Sequence, residues 1–166
     1  MLNLNYSTRK ITIIAMLLTL CVVGANIKII GSIALDSFPA FIGTLILGPV
    51  VGAFLGFSGH MISALLVGFP STLPIHLIIA VLMALCMFVY GWIRNNWYPN
   101  TVKSLICSVV TAYLLNVPLS LSIIYLFLGK IVFILFIPLT IATVCNLLLS
   151  EFVYVTLPKK IKNFQY

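Results

Sequence analysis

The sequence predicts an all-α integral membrane protein that folds as one bundle of six transmembrane helices. Of its 166 residues, 63% are hydrophobic and only 7% are charged, and the mean hydropathy is +1.26. Soluble domains have about 25% charged residues. The formal net charge of +7 comes from bases at the edges of apolar runs, which is typical of membrane loops and not of a nucleic-acid-binding face. The composition therefore excludes a soluble enzyme, a disulfide-stapled secreted domain and a disordered tail.

The count of six crossings follows from the lengths of the apolar runs. A helix needs about 20 residues to cross a hydrocarbon core of ~30 Å, and polar residues, Gly or Pro bound each run. The predicted helices, within a single transmembrane domain over 1–166, are 10–30, 38–48, 50–67, 74–92, 101–116 and 136–157. Val117-Pro118 predicts a break after the fifth helix, and we interpret 118–135 as an outer-side segment. A seventh crossing at that place is the alternative.

The distribution of basic residues supports an even number of crossings, with both termini in the cytoplasm. With six crossings, one side of the membrane contains seven of the nine bases: Arg9, Lys10, Arg94, Lys103, Lys159, Lys160 and Lys162. The other side contains Lys28 and Lys130. Cytoplasmic loops carry an excess of Lys and Arg, and a seventh crossing would move the C-terminal lysines outside. The first run also resembles a signal peptide with a cleavage site at Val23-Gly24-Ala25, but removing it would contradict this distribution.

The two acidic residues, Asp36 and Glu151, are predicted at opposite ends of the bundle. They therefore cannot form a paired-carboxylate or metal site, and we predict no catalytic residues. Asp36 or Ser37 precedes a proline in the first helical turn, so the pair predicts a helix cap, which is compatible with a ligand contact. Glu151 is interpreted as an interfacial charge near Lys159 and Lys160. The four cysteines have no CxxC spacing and are interpreted as small buried hydrophobes.

Polar side chains at membrane depth are candidate functional residues by default, because they are costly there. His60 lies on the third helix near Gly52, Gly56 and Gly59, where small residues allow close helix approach. It either bonds to a neighbouring helix or contacts a ligand, and the same alternatives hold for His76. The candidate binding residues are Asn26, Asp36, His60, Phe69, His76, Asn116, Tyr125 and Asn146. Most fall towards the outer side, which predicts an outward-facing pocket for a small, mostly uncharged ligand.

Three motifs resemble the S components of energy-coupling factor (ECF) vitamin transporters. They are Leu35-Asp36-Ser37-Phe38-Pro39-Ala40-Phe41, Leu47-Gly48-Pro49-Val50-Val51-Gly52-Ala53 and Gly68-Phe69-Pro70. The resemblance implies a six-helix binding protein of the bacterial plasma membrane, without a cofactor or an ATPase of its own. It implies two kinds of partner: a transmembrane T component, and two ABC-type ATPases that the T component carries.

The family's first helix docks on the T component through an Ala-x-x-x-Ala pattern. The nearest match here is Ala15-Met-Leu-Leu-Thr19, in which threonine replaces the second alanine. Threonine is still small enough for close helix packing. The resemblance therefore implies that Ala15 and Thr19 lie in the docking face.

The run from Leu35 to His76 most resembles S components assigned to α-ribazole, a benzimidazole nucleoside salvaged for cobalamin. A neutral nucleoside needs aromatic surfaces with hydroxyl and amide groups, whereas an anion such as pantothenate needs a cation, and only Lys28 and Lys130 are predicted outside. Residues 26–37 and 68–75 are predicted to close over the ligand. The alternatives are another vitamin or micronutrient, a small membrane enzyme acting on lipid or prenyl substrates, and a structural subunit of a membrane complex.

Overall fold

The computed structural model describes residues 4–26, 28–29, 33–34, 36–97, 99, 101–158 and 161. Within these residues the chain forms seven α-helices and one short antiparallel β-ribbon. The helices are α1 (Leu4–Asn26), α2 (Phe38–Leu47), α3 (Pro49–Leu66), α4 (Leu73–Asn96), α5 (Val102–Leu114), α6 (Ser120–Leu128) and α7 (Val132–Thr156). The ribbon pairs β1 (Lys28–Ile29) with β2 (Ile33–Ala34).

Four helical stretches of the described chain are long and apolar enough to cross a membrane. They are Thr8–Ala25, Pro49–Leu66, Leu73–Asn96 and Val102–Thr156. The last is a run of 55 residues that contains α5, α6 and α7. Helix α2 has ten residues and is therefore about 15 Å long, half the hydrocarbon thickness. The structure supports a membrane-embedded helical protein, while the count of six crossings and the cytoplasmic termini stay predictions.

The bounds of the first and fourth helices differ from the prediction, and α1 begins at Leu4 instead of residue 10. The first helix was expected to reach residue 30, but α1 ends at Asn26 and is followed by the β-ribbon. The physical reason is that Lys28, Gly31 and Ser32 interrupt the apolar run. The fourth helix was expected to end at Trp92, but α4 continues to Asn96. This extra turn places Arg94 within the helix, where it faces α7.

The predicted break at Val117-Pro118 is wrong, because the chain stays helical through the proline. Residues Leu115–Leu119 form a π-helical turn that joins α5 to α6. A proline inside an α-helix removes one hydrogen bond and its ring crowds the preceding turn, and a wider π turn relieves that crowding locally. The Ser120 hydroxyl donates to the Leu115 carbonyl at 2.9 Å, so a freed acceptor remains satisfied, as an apolar environment requires.

Residues 118–135 therefore contain helix α6, a short 3₁₀ turn at Gly129–Ile131 and the start of α7. Gly129 has a φ of +63°, a conformation that favours glycine. The chain reverses here: Asn116 of the π turn bonds to Thr143 of α7, whereas Tyr125 of α6 contacts Phe133 near the start of α7. Helix α7 therefore runs antiparallel to the π turn and α6. The last helix begins at Val132, four residues before the predicted start. An outer-side position for this segment stays a prediction.

Helix α2 lies at the centre of the bundle, and nine of its ten residues are buried. Its neighbours are α1, α3, α4 and α7. The Phe41 ring packs edge-on against Tyr90 of α4, with ring centroids 5.3 Å apart. A helix that is apolar on all sides is expected in such a buried position. The main core around α2 also contains Leu55, Met87 and Leu147.

The glycines of α3 contact three different helices. A Cβ at Gly52 would overlap the Thr44 side chain of α2, and one at Gly59 would lie 2.9 Å from Cβ of Cys21 in α1. At Gly56 it would lie 3.1 Å from the Met83 carbonyl oxygen of α4. The small residues were expected to admit another helix closely. They in fact let α3 pack tightly against α1, α2 and α4 at once.

Candidate functional site

A cavity of about 260 Å³ lies between the start of α2, the middle of α3 and α4, the π turn with α6, and α7. Its wall has a polar part and an apolar part. The polar residues are Asp36, Ser37, His60, Asn116, Ser120, Thr143 and Asn146. The apolar residues are Ile79, Met83, Leu121, Ile124, Leu135, Pro138, Leu139 and Ala142. Among these lining residues there is no lysine or arginine, and Asp36 is the one acidic residue.

Four of the eight predicted binding residues line this cavity: Asp36, His60, Asn116 and Asn146. They come from the start of α2, from α3, from the π turn and from α7, and the packing of the bundle brings these distant parts of the sequence together. The structure thus places half of the predicted site in one cavity. Their contact with a ligand stays a prediction.

The two asparagines that line the cavity, Asn116 and Asn146, also form hydrogen bonds within the protein. The Asn116 amide nitrogen donates to the Thr143 hydroxyl oxygen at 2.8 Å, which joins the π turn to α7. The Asn146 side-chain oxygen accepts the backbone N–H of Phe38 at 2.8 Å, and its nitrogen donates to the Ala142 carbonyl at 2.8 Å. Each asparagine therefore both lines the cavity and fixes the shape of its wall.

The N-terminal cap of α2 differs from the prediction. Ser37 occupies the cap position, but its side chain makes no capping bond; it donates to the Asp36 carboxyl oxygen at 3.0 Å. Asn146 of α7 takes the capping role by accepting the N–H of Phe38. The reason is tertiary, since the helix start is buried and a polar group from a neighbouring helix reaches its N–H first.

Asp36 is the acidic group of the cavity and lies outside the membrane-spanning stretches. Burial raises the pKa of its carboxyl above the ordinary value of 3.8, and hydrogen bonds from Ser37 partly oppose this shift. Burial acts in this direction because it disfavours the charged form. The neutral carboxyl is therefore favoured more than at the protein surface, and it can donate as well as accept a hydrogen bond.

The two histidines contact each other, one in the wall of the cavity and one outside it. Nε2 of His60 lies 3.2 Å from Nδ1 of His76, and the ring centroids are 5.3 Å apart. His60 lines the cavity, whereas His76 and Phe69 do not. The Phe69 ring packs on His76 with centroids 5.8 Å apart. The structure thus places His76 and Phe69 behind His60, so the direct cavity contact expected for both is not seen.

Tyr125 also lies away from the central cavity. It lines a second, mainly apolar cavity of about 400 Å³ on the outer face of α6 and α7, and its ring centroid is 5.8 Å from that of Phe133. Leu121 lines both cavities and separates them. Asn26 is the last residue of α1, and its side chain lies outside the described part of the structure.

Thr143 is a cavity residue that the sequence analysis missed. It is buried and bonded to Asn116. Its position three residues before Asn146 was the available signal, because residues three apart share one face of a helix. A threonine in an apolar helix is common, however, and bonds to its own backbone, so the spacing alone gave a weak indication.

The prediction for Glu151 is wrong, because this residue is a buried partner of α4 and not an interfacial charge near the C-terminal lysines. Its two carboxyl oxygens accept hydrogen bonds from the Tyr90 hydroxyl at 2.6 Å and from Arg94 Nη2 at 2.9 Å. Only about a tenth of each side chain of the ion pair is exposed. Tyr90, Arg94 and Glu151 form what we call the α4–α7 ion cluster, and none of them lines the central cavity.

The predicted docking residues lie on the exposed side of α1. Ala15 and Thr19 are both exposed, and the Thr19 hydroxyl donates to the Ala15 carbonyl at 2.9 Å. Because that bond satisfies the hydroxyl, the threonine presents a small, mainly apolar surface. Ile11 and Met16, both more than half exposed, flank this surface. A role in docking stays a prediction.

Comparison with known proteins identifies the family. Among the described residues, no group of three or more His, Cys, Asp or Glu is placed to hold a metal ion. No protein of curated function matches the chain with significant similarity. The family model described as "ECF transporter, substrate-specific component" matches residues 9–158, which is most of the chain and includes every residue of the central cavity. The chain therefore belongs to the family of substrate-specific components of ECF transporters.

Proposed function

We propose that this chain captures a neutral, nucleoside-like vitamin precursor, with α-ribazole as the best candidate, in the central cavity. Membership of the family supports a substrate-binding subunit of a membrane transporter, with a T component and ATPases as partners. The observation that carries the choice of substrate is the chemistry of the cavity wall. Amide, hydroxyl, imidazole and carboxyl groups face an apolar wall without a described cation.

The two parts of the wall match the two parts of such a molecule. A benzimidazole ring packs against apolar residues such as Met83, Leu121 and Ile124, while sugar hydroxyls pair with Asn116 and Asp36. Ligand pockets commonly measure about 300–1,000 Å³, and the central cavity of about 260 Å³ is therefore suited to a small compound. A whole cobalamin is far too large for it.

The absence of a cation from the described lining argues against an anionic substrate. Burying a carboxylate without a counter-charge costs several kcal/mol, and Asp36 adds a further acidic group to the wall. Pantothenate should therefore bind poorly. A neutral ligand avoids this cost.

The transport steps follow from the family assignment and belong to the proposal. Substrate enters from outside, and residues 26–37 and 68–75 close over it. The exposed face at Ala15 and Thr19 of α1 docks on the T component. ATP hydrolysis by the two ATPases then drives the reorientation that releases substrate into the cytoplasm.

The alternative of a membrane enzyme is not favoured by the placement of the acids. Asp36 lies in the cavity, whereas Glu151 is held by Tyr90 and Arg94 outside it. A metal-dependent or acid–base mechanism needs such groups to converge on one reacting centre. The family is also one of transporter components and not of enzymes.

The test is native mass spectrometry of the detergent-purified protein, followed by thermal-shift titration. The compounds are α-ribazole, cobalamin, pantothenate, thiamine and riboflavin. We expect one bound α-ribazole per chain and a saturable rise of the melting temperature with this compound alone. Saturable binding of pantothenate instead would refute the argument from the uncharged cavity. No shift with any compound in folded protein would refute capture of a vitamin or precursor of this set.

A further inference from the structure

The only two histidines of the chain are hydrogen-bonded to each other across α3 and α4. Nε2 of His60 and Nδ1 of His76 are 3.2 Å apart, so one nitrogen donates its proton and the other accepts. A neutral imidazole has one donor nitrogen and one acceptor nitrogen. The direction of this bond therefore sets the tautomer of both rings together.

The two remaining ring nitrogens have different surroundings. Nε2 of His76 is buried and has no hydrogen-bond partner in the described part of the chain. His60 lines the central cavity, and the only hydrogen bond that it makes within the described part of the chain uses Nε2. Nδ1 is therefore the His60 nitrogen that remains for a ligand. The free nitrogen of His76, Nε2, is instead buried away from any partner in the described chain.

The surroundings of His76 Nε2 favour one direction of the hydrogen bond between the two histidines. If His60 donated, His76 would carry its proton on Nε2, which would be a buried N–H without an acceptor. If His76 donates from Nδ1, its Nε2 is an acceptor that receives no hydrogen bond. Buried N–H groups without an acceptor are the rarer case in proteins. The second arrangement is therefore preferred, and His60 then carries its proton on Nδ1.

We propose that His76 is a positioning residue that determines specificity: by donating to His60, it makes His60 Nδ1 a hydrogen-bond donor towards the cavity. The ligand atom that meets this donor must be an acceptor, such as an unprotonated aromatic ring nitrogen or an ether or carbonyl oxygen. A compound with a C–H or N–H at that place leaves the donor unpaired and binds more weakly. The inference rests on the proposed function, because α-ribazole has one unprotonated benzimidazole nitrogen.

Nitrogen NMR of the full chain in detergent tests the pair without any ligand. The protein is labelled with ¹⁵N-histidine and purified without a histidine tag, so that its two histidines are the only labelled side chains. His60→Gln assigns the signals. We expect a scalar coupling across the hydrogen bond between His60 Nε2 and His76 Nδ1, with His60 protonated on Nδ1. A His60 protonated on Nε2, or the lack of any coupling, would overturn the proposal.

Two variants separate positioning from a merely structural role. His76→Phe keeps a ring against Phe69 but cannot donate, so His60 should become a mixture of tautomers. His76→Asn has an amide N–H that can replace Nδ1, and it should restore the Nδ1-protonated form. A melting temperature for each variant shows that it is folded. An unchanged His60 tautomer in folded His76→Phe protein would contradict the proposal.

Ligand discrimination supplies the second readout. The probes are α-ribazole and its indole analogue, in which C–H replaces the unprotonated ring nitrogen. We expect the wild type to prefer α-ribazole by about tenfold, as the loss of one buried hydrogen bond implies. His76→Phe should lose this preference and His76→Asn should keep most of it. Equal affinities in the wild type would refute the specificity role, whereas the expected tautomer without binding of either probe would support the pair and refute the proposed substrate.

Discussion

Replacing Glu151 by glutamine removes the negative charge of the α4–α7 ion cluster while keeping nearly the same shape. The change leaves Arg94 charged, about one tenth exposed and without its counter-ion. Breaking a buried ion pair by removing one partner typically costs about 3–5 kcal/mol. Since glutamine can still accept one hydrogen bond from Arg94 or Tyr90, we expect a loss of about 3 kcal/mol in the free energy of unfolding.

Two companion variants test the physical reason for that loss. Tyr90→Phe removes one hydrogen bond to the carboxylate and should cost about 1.5–3 kcal/mol. The double variant Arg94→Met with Glu151→Leu removes both charges, and it should be more stable than Glu151→Gln because no unpaired charge remains. Lys103→Gln is the matched control: Lys103 is exposed, and its replacement should change stability by less than about 0.5 kcal/mol.

The assay is reversible unfolding of the detergent-solubilised protein by a denaturing detergent, followed by circular dichroism. Together with the single variants Arg94→Met and Glu151→Leu, the double variant completes a cycle that gives the interaction energy between Arg94 and Glu151. A cost below about 1 kcal/mol for Glu151→Gln is what an exposed salt bridge shows. That result would refute the argument that the cluster is desolvated.

Three further predictions concern the cavity and the exposed face of α1. Asn116→Ala should weaken α-ribazole binding by about tenfold, because it removes a wall group and its bond to Thr143; titration calorimetry against Asn96→Ala, an exposed amide, measures this. Ala15→Trp should leave binding unchanged but abolish assembly and uptake, whereas Phe54→Trp on the exposed side of α3 should permit both; co-purification with the T component and a transport assay decide. Asp36→Asn should flatten the pH dependence of stability. Since the pKa of the folded carboxyl is raised above 3.8, the wild type should lose stability as pH rises from about 4 through the raised pKa and then level off, and a melting curve that rises with pH in this window would contradict the argument.

The sequence alone was sufficient for the membrane class and the family, and half of the eight binding residues predicted from it line the central cavity. The composition and length of an apolar run directly indicate whether that segment lies in lipid or in water. The polar side chains predicted within the membrane are few enough to examine one by one. The π turn at Pro118 could not be predicted, because a proline predicts a break unless neighbouring helices and side chains satisfy the freed backbone groups. In this protein the Ser120 hydroxyl does so for the Leu115 carbonyl.

The sequence by itself determined that this chain is a helical membrane protein with few, expensive polar groups, because hydrophobicity is a property of each residue. Only the tertiary structure decided which of those groups meet. Asn146 caps α2 from more than 100 residues away, His76 is hydrogen-bonded to His60, and Glu151 is paired with Arg94. The reason is that a hydrogen bond depends on positions within about 3 Å, and such distances between helices are set by the packing of the whole bundle.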